Sequence, residues 1–189
     1  YPEACLSHRR SKGQGFYTVQ HFMEGSSMPG ANVLCIRDWR KRLMERKPMK
    51  ETTPLEIANA LDGAASETLA SLDSLREAAN QDLELQKNVN DCEAFAWLGR
   101  YYASKIRGSC ALALFDANSD KFDHDASLHH LEDALSHWKK YATIRDAHYV
   151  PAMYNRVGFV DVTALTGKVA ADIDIARSWE PGSLKDDGK

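Results

Sequence analysis

Apolar side chains recur at three- and four-residue intervals over most of the chain, the spacing of one face of an α-helix. Ile57, Leu61, Ala65, Leu69, Leu72, Leu75 and Ala79 form the first such stripe. It opens at Thr53-Pro54-Leu55-Glu56, which joins an N-cap hydroxyl, a proline at the first helical position and a glutamate at the third. The pattern predicts a helix from Pro54 to about Ala79. A second stripe, Phe95, Leu98, Tyr102 and Ile106, is broadened by Trp97, Tyr101 and Leu112. The helix it predicts, over 90–116, is apolar on most sides and so packs against several neighbours. Asn90 and Glu93 offer its cap, and the polar residues between Asp116 and Asp120 its end. Leu128, Leu131, Leu135, Trp138 and Tyr141 predict a third long helix over 124–145, capped by Asp123 or Asp125. Residues 146–160, with Pro151 and Gly158, read as loop. A last helix starts at Thr163 or Thr166, carries Val169, Ile173 and Ala176, and is stopped by Pro181-Gly182.

Short connections make such helices antiparallel neighbours. The expected fold is therefore mainly α: an antiparallel helical bundle or helical-hairpin stack with a short N-terminal extended or β leader. The local geometry resembles TPR hairpins, although no repeat with a period of roughly 34 to 45 residues is present. The leader differs from the rest. Phe16 to Phe22 is β-branched and aromatic between glycine-rich turns and predicts a strand. A short basic helix is expected over Arg37–Glu45, with Trp39 and Leu43 four apart. One strand does not stand alone: either it docks as an extended arm on the helices or its partner strands lie in another domain, and the second reading, a junction, predicts an exposed apolar or aromatic patch on residues 16–44. The expected division is 1–52 leader or junction, 53–180 helical bundle, and 181–189 disordered tail.

Composition narrows the field only slightly. The chain has 189 residues, 43% of them apolar and 27% charged, enough to bury a core. No apolar run approaches the roughly 20 residues of a membrane span. The net charge of −3 is unevenly spread. The basic excess lies in the first 50 residues, clustered from Arg37 to Lys50, and the rest is acidic. An acidic domain with a short basic leader is a poor nucleic-acid binder. The chain opens on Tyr1 rather than Met, and is read as a fragment or processed product. Cys5, Cys35, Cys92 and Cys110 form no CxxC pair. Cys92 and Cys110 share one predicted helix about 27 Å apart, beyond the reach of a disulfide; Cys5 with Cys35 stays open.

Three constellations could carry chemistry. Asp123, His124, Asp125, His129, His130, Asp133 and His137 have ligand-type side chains, with His130, Asp133 and His137 on one helical face. No zinc motif accompanies them, and the expectation is structural histidines with no metal and no cofactor. The carboxylate pairs Glu132/Asp133, Asp172/Asp174 and Asp123/Asp125 read as caps and partners for Arg100, Arg145 or Arg177 rather than as a catalytic pair. No P-loop, nucleophile elbow or dinucleotide fingerprint is present. Aromatic residues are the third group. Trp97, Tyr101, Tyr149 and Tyr154 could form a sugar-stacking platform, with Arg100 and Arg156 binding hydroxyls. The competing reading is ordinary core packing.

Several longer phrases carry a resemblance. They are Ala94–Gly108, His130–Tyr141, Tyr149-Val150-Pro151, Asn155-Arg156-Val157-Gly158, and Val169–Arg177 with its Asp172-Ile173-Asp174-Ile175. Together they resemble the C-terminal helical region of large Bacteroidetes-type glycan-degradation proteins, some of them carbohydrate-binding or α-glucuronidase-like glycoside hydrolase relatives. Phe16 to Pro54 looks like the link from a preceding barrel domain. Asp161-Val162 stands where an acidic-aromatic pair is expected, a departure from the pattern. The resemblance implies a parent that acts on polysaccharide, periplasmic or extracellular, with its catalytic carboxylates upstream; no catalytic residue is carried onto this chain. The implied role is a non-catalytic accessory domain partnered by the upstream domain and by polysaccharide. The alternative is a TPR-like protein-interaction module.

Overall fold

The computed structural model of the chain describes residues 16–154 and 158–184, with the side chains at 153, 154, 158 and 159 outside the description. The described residues form six helices: α1 Val19–Glu24, α2 Ile36–Met44, α3 Pro54–Ala79, α4 Leu83–Asn118, α5 Lys121–His148 and α6 Thr166–Arg177. An antiparallel hairpin of β1 Ala152–Tyr154 and β2 Gly158–Val160 pairs Ala152 with Val160 where the sequence reads as loop. The architecture is mainly α. α4 is the central rod, packed on α3 along one side and α5 along another, while α1 and α2 also rest on it. Three residues join α3 to α4 and two join α4 to α5, which makes each pair antiparallel.

The helix ends follow their caps. Thr53 Oγ1 accepts from Glu56 N–H while the Glu56 carboxylate accepts from Thr53 N–H, so α3 starts where its capping box predicts. α4 starts earlier than 90 because Asp82 accepts from the Glu84 and Leu85 N–H groups. The added turn carries Leu83 and Leu85, both exposed, so no apolar stripe betrays it. α5 is capped by Asp120, not by Asp123 or Asp125.

The expected strand at 16–22 is a helix. Thr18 accepts from His21 N–H and donates its own N–H to His21 Nδ1, a capping box with histidine in the usual glutamate position. Val19 and Met23, four apart, are fully buried, and this tertiary burial overrides the strand propensity of the run. The expected exposed patch is also corrected. Phe16, Val19, Met23, Leu34, Ile36 and Trp39 are all buried within this chain, and only Met28, Leu43 and Met44 remain as exposed large apolar side chains in 16–44. One part of the tail is corrected too. Gly182 N–H donates to the Asp116 carbonyl, Leu184 N–H donates to Asp116 Oδ1, and Leu184 is buried. Residues 185–189 lie outside the described residues.

Among the described residues two large core clusters hold the bundle, and a small third one of Leu72, Ala79 and Val89 joins α3 to α4. One large cluster joins Val19, Met23, Ile36 and Trp39 to Leu112, Leu131, Ile173 and Leu184. The other joins Phe16 to Tyr101, Trp138, Val162, Leu165 and Val169. Two buried ion pairs bridge these layers. Lys105 of α4 meets Asp172 of α6 at 2.7 Å, and Arg40 of α2 meets Asp116 of α4 at 2.6 Å.

Candidate functional site

Helical spacing places Glu93, Trp97 and Arg100 on one face of α4, and His137, Lys140 and Ile144 on one face of α5. The two faces border an open groove of about 350 Å³ lined by Glu93, Trp97, Lys139, Lys140, Thr143 and Ile144. The half-buried Trp97 indole is its platform. Lys140 Nζ stands 4.0 Å from the ring centroid and Arg100 Cζ 5.2 Å, both at cation–π range. The His137 ring lies 5.7 Å away, tilted by 30°.

The surrounding polar groups are anchored by α3. Arg100 donates to Ser66 Oγ at 3.0 Å and faces Asp62 at 3.8 Å. Arg107 donates to Asp62 at 3.1 Å and to Asn59 at 2.9 Å. Glu93 pairs with Arg76. His137 Nδ1 is 3.3 Å from Ser104 Oγ. Burial holds the His137 imidazole below its ordinary pKa; the Arg100 and Lys140 charges push the same way, against Asp133 and the Arg100 backbone. His130 is lowered by burial, then by Arg107 and His129, again against Asp133. At neutral pH both rings are therefore neutral hydrogen-bonding groups. The groove offers an aromatic face, an aliphatic wall and lysine donors, with Arg100 beside the indole.

The sequence-predicted residues divide. Trp97 and Arg100 come together here. Tyr101 does not reach the surface: it is fully buried, edge-on to Trp138 at 4.9 Å, with its hydroxyl accepting from Lys105 Nζ at 3.2 Å. It is a core residue. Tyr149 lies at the end of α5 with its hydroxyl donating to Asp91 at 2.6 Å and Arg145 stacked 4.0 Å over its ring. The Tyr154 side chain and all of Arg156 lie outside the described residues. Lys139, Lys140 and Thr143 carry no site signal in the sequence, because only the α4–α5 packing brings them to Trp97.

The histidine-rich segment is dispersed. His124 donates from Nε2 to the Ala176 carbonyl at 2.9 Å and stacks on Phe115, while His129 faces Asp133 at 3.7 Å in solvent. Among the described residues no three His, Cys, Asp or Glu side chains are grouped to hold a metal ion. Cys35, Cys92 and Cys110 are free thiols; Cys5 lies outside the described residues. A further concavity of about 590 Å³ lies beside α1, lined by Phe22, Leu34, Ile36, Ile57 and Ile106 among others. Cys35 borders it, its thiol pKa raised chiefly by burial, which disfavours the reactive thiolate. No described helix is long and apolar enough to cross a membrane.

No family model matches the sequence, and no curated protein matches it. Among solved structures, the chain is similar to one described as a GH138 enzyme targeting pectin rhamnogalacturonan II. The TM-score is 0.66 at 15% identity, over 76% of this chain and 22% of that one. The likeness shows a shared fold. This chain spans about a fifth of that enzyme's length.

Proposed function

We propose that the chain is a non-catalytic helical accessory domain of a larger polysaccharide-degrading protein, working in the periplasm or outside the cell. It braces a catalytic domain and contributes the Trp97 groove to carbohydrate contact. The observation that supports the reading is the shared fold with a fraction of a much longer pectin-targeting enzyme. The site chemistry agrees with it. An indole face stacks on the C–H side of a sugar ring, and Lys139 and Lys140 supply donors for hydroxyl and carboxylate oxygens. Lys140 covers that face in the free protein, and an exposed cation–π contact costs only about 0.5–1 kcal/mol to displace.

The test is calorimetric titration of the chain with pectin-derived acidic oligosaccharides. Wild type binds, and Trp97→Ala weakens binding about tenfold, or roughly 1.4 kcal/mol. Equal affinity of wild type and W97A, or no binding by either, refutes the carbohydrate contact. The alternative of a protein-interaction module draws on the consecutive antiparallel hairpins α3–α4 and α4–α5. It places the binding energy in a peptide partner and leaves oligosaccharide without effect.

A further inference from the structure

A second indole is presented on the opposite chemical terms. Trp179 follows α6, and its Nε1–H donates to Asp116 Oδ1 at 2.9 Å. Asp116 is itself buried, paired with Arg40 at 2.6 Å, and accepts the Leu184 N–H at 3.0 Å. The nitrogen edge of the indole is thus fixed from behind by a buried charge. The half-buried ring packs against the core and lines an open hollow of about 420 Å³ with Gln20, Ile175, Ser178, Glu180 and Ser183.

The rim of this hollow is biased toward acceptors. The Ser178 hydroxyl donates to the Asp174 carbonyl at 2.9 Å, and the Ser183 hydroxyl to the Glu180 carbonyl at 2.6 Å. Gln20 Nε2 donates to Glu24 at 2.8 Å. With those protons committed, the serine oxygens and the Gln20 carbonyl keep lone pairs and the Glu180 carboxylate only accepts, so the acceptors outnumber the second Gln20 amide proton. Among the described residues no lysine, arginine or histidine lines the hollow. An acceptor rim is complementary to a ligand rich in hydroxyl protons, and Glu180 repels a carboxylate or sulfate. A single indole beside one carboxylate is also short of the multi-aromatic cage that holds organic cations.

We propose that the Trp179 hollow is a binding subsite for a neutral sugar residue, stacked on the indole, with its hydroxyls donating to Glu180, Ser178 and Ser183. The inference rests on the glycan-related reading above for its ligand class, but on none of the Trp97 residues. Trp97 faces cationic donors and Trp179 faces acceptors, so the two sites sort acidic from neutral sugars.

The experiment follows the four tryptophan indole N–H resonances of the intact chain by NMR, with Trp97→Phe and Trp179→Phe assigning two of them. The probes are galactotetraose, tetragalacturonate and tetramethylammonium. Galactotetraose is expected to shift the Trp179 resonance with millimolar affinity, and tetragalacturonate to leave it in place. Glu180 is exposed, so Glu180→Ala keeps the fold and weakens the galactotetraose response about tenfold, the scale of one charge-assisted hydrogen bond. Glu180→Gln admits tetragalacturonate. A stationary Trp179 resonance into the tens of millimolar galactotetraose overturns the proposal. A response to tetramethylammonium without one to galactotetraose overturns it in favour of a cation site. Trp97 moving alone, with tetragalacturonate, sinks this subsite and keeps the Trp97 contact. Trp179 moving alone, with galactotetraose, does the reverse.

Discussion

Lys105 carries its ammonium into a place with no solvent. Its side chain is 0% exposed, and its three N–H donors meet Asp172 Oδ2 at 2.7 Å, the Tyr17 carbonyl at 2.5 Å and the Tyr101 hydroxyl at 3.2 Å. The Phe16 ring centroid lies 4.2 Å from the same nitrogen. Asp172 Oδ1 in turn accepts the Val19 N–H at 2.7 Å. Burial raises the Asp172 carboxyl while Lys105 and Val19 oppose that rise. A fully satisfied pair of this kind contributes modestly, but removing one member strands a buried charge. Lys105→Met and Asp172→Leu are each expected to lose about 3–5 kcal/mol in urea unfolding, and the double variant Lys105→Met/Asp172→Leu less than their sum. Additive losses would show that the two groups are not coupled. His130 and His137 set a pH dependence. Their native pKa values lie below the unfolded one, so the unfolded chain takes up protons first as pH falls through about 6.5. Stability is then fully present above that pH and declines below it. The urea midpoint is expected to fall between pH 7.5 and 5.5, and the slope to flatten in His130→Gln/His137→Gln. An unchanged slope in that variant removes these two rings as the cause.

At the scale of the element, local signals and packing make separate contributions. α3 runs from Pro54 to Ala79, as its cap and stripe predict, because both signals are written in consecutive residues. α1 reads as a strand in sequence because its composition is β-like, whereas its helical burial depends on residues far away in the chain, Lys105 and Asp172 among them. Glycines in the long helices separate the two kinds of constraint. A Cβ on Gly108 of α4 would meet Leu131 Cγ of α5 at 2.9 Å, so this glycine sets how closely the two helices approach. Gly63 of α3 is exposed with nothing within 4 Å. Gly108→Ala should destabilise by about 1–3 kcal/mol through overpacking. Gly63→Ala should stabilise by roughly 0.5–1 kcal/mol through helix propensity. Thermal unfolding followed by circular dichroism measures both; the same sign for the two variants contradicts this account.

Across the whole molecule, the leader is a structural layer as well as a connection. Residues 16–24 cover Lys105 and Asp172 and supply Phe16, Val19 and Met23 to the two large core clusters. A chain beginning at Ser26 is therefore expected to lose its cooperative transition, with a broadened thermal melt and exposed apolar surface detected by dye binding. A sharp melt at the full-length midpoint would make residues 16–24 dispensable. The same leader contributes Gln20 to the Trp179 hollow and Tyr17, His21 and Phe22 to the concavity beside α1. Truncation is thus expected to disturb those sites while leaving the residues of the Trp97 groove, on α4 and α5, intact in sequence.

The fold class and the three long helices were legible in the sequence, because 3.6-residue periodicity and capping chemistry act over a few neighbouring positions. Which aromatic faces solvent was not legible. Trp97 and Tyr101 sit four residues apart on one helix, yet one borders a groove and the other is sealed in the core. The nearby Lys105 is charged and still buried deeper than most of the apolar residues. Those outcomes depend on which helix lies against which side of α4. Packing and the burial of charge are settled by contacts between distant segments, which no stretch of neighbouring residues encodes.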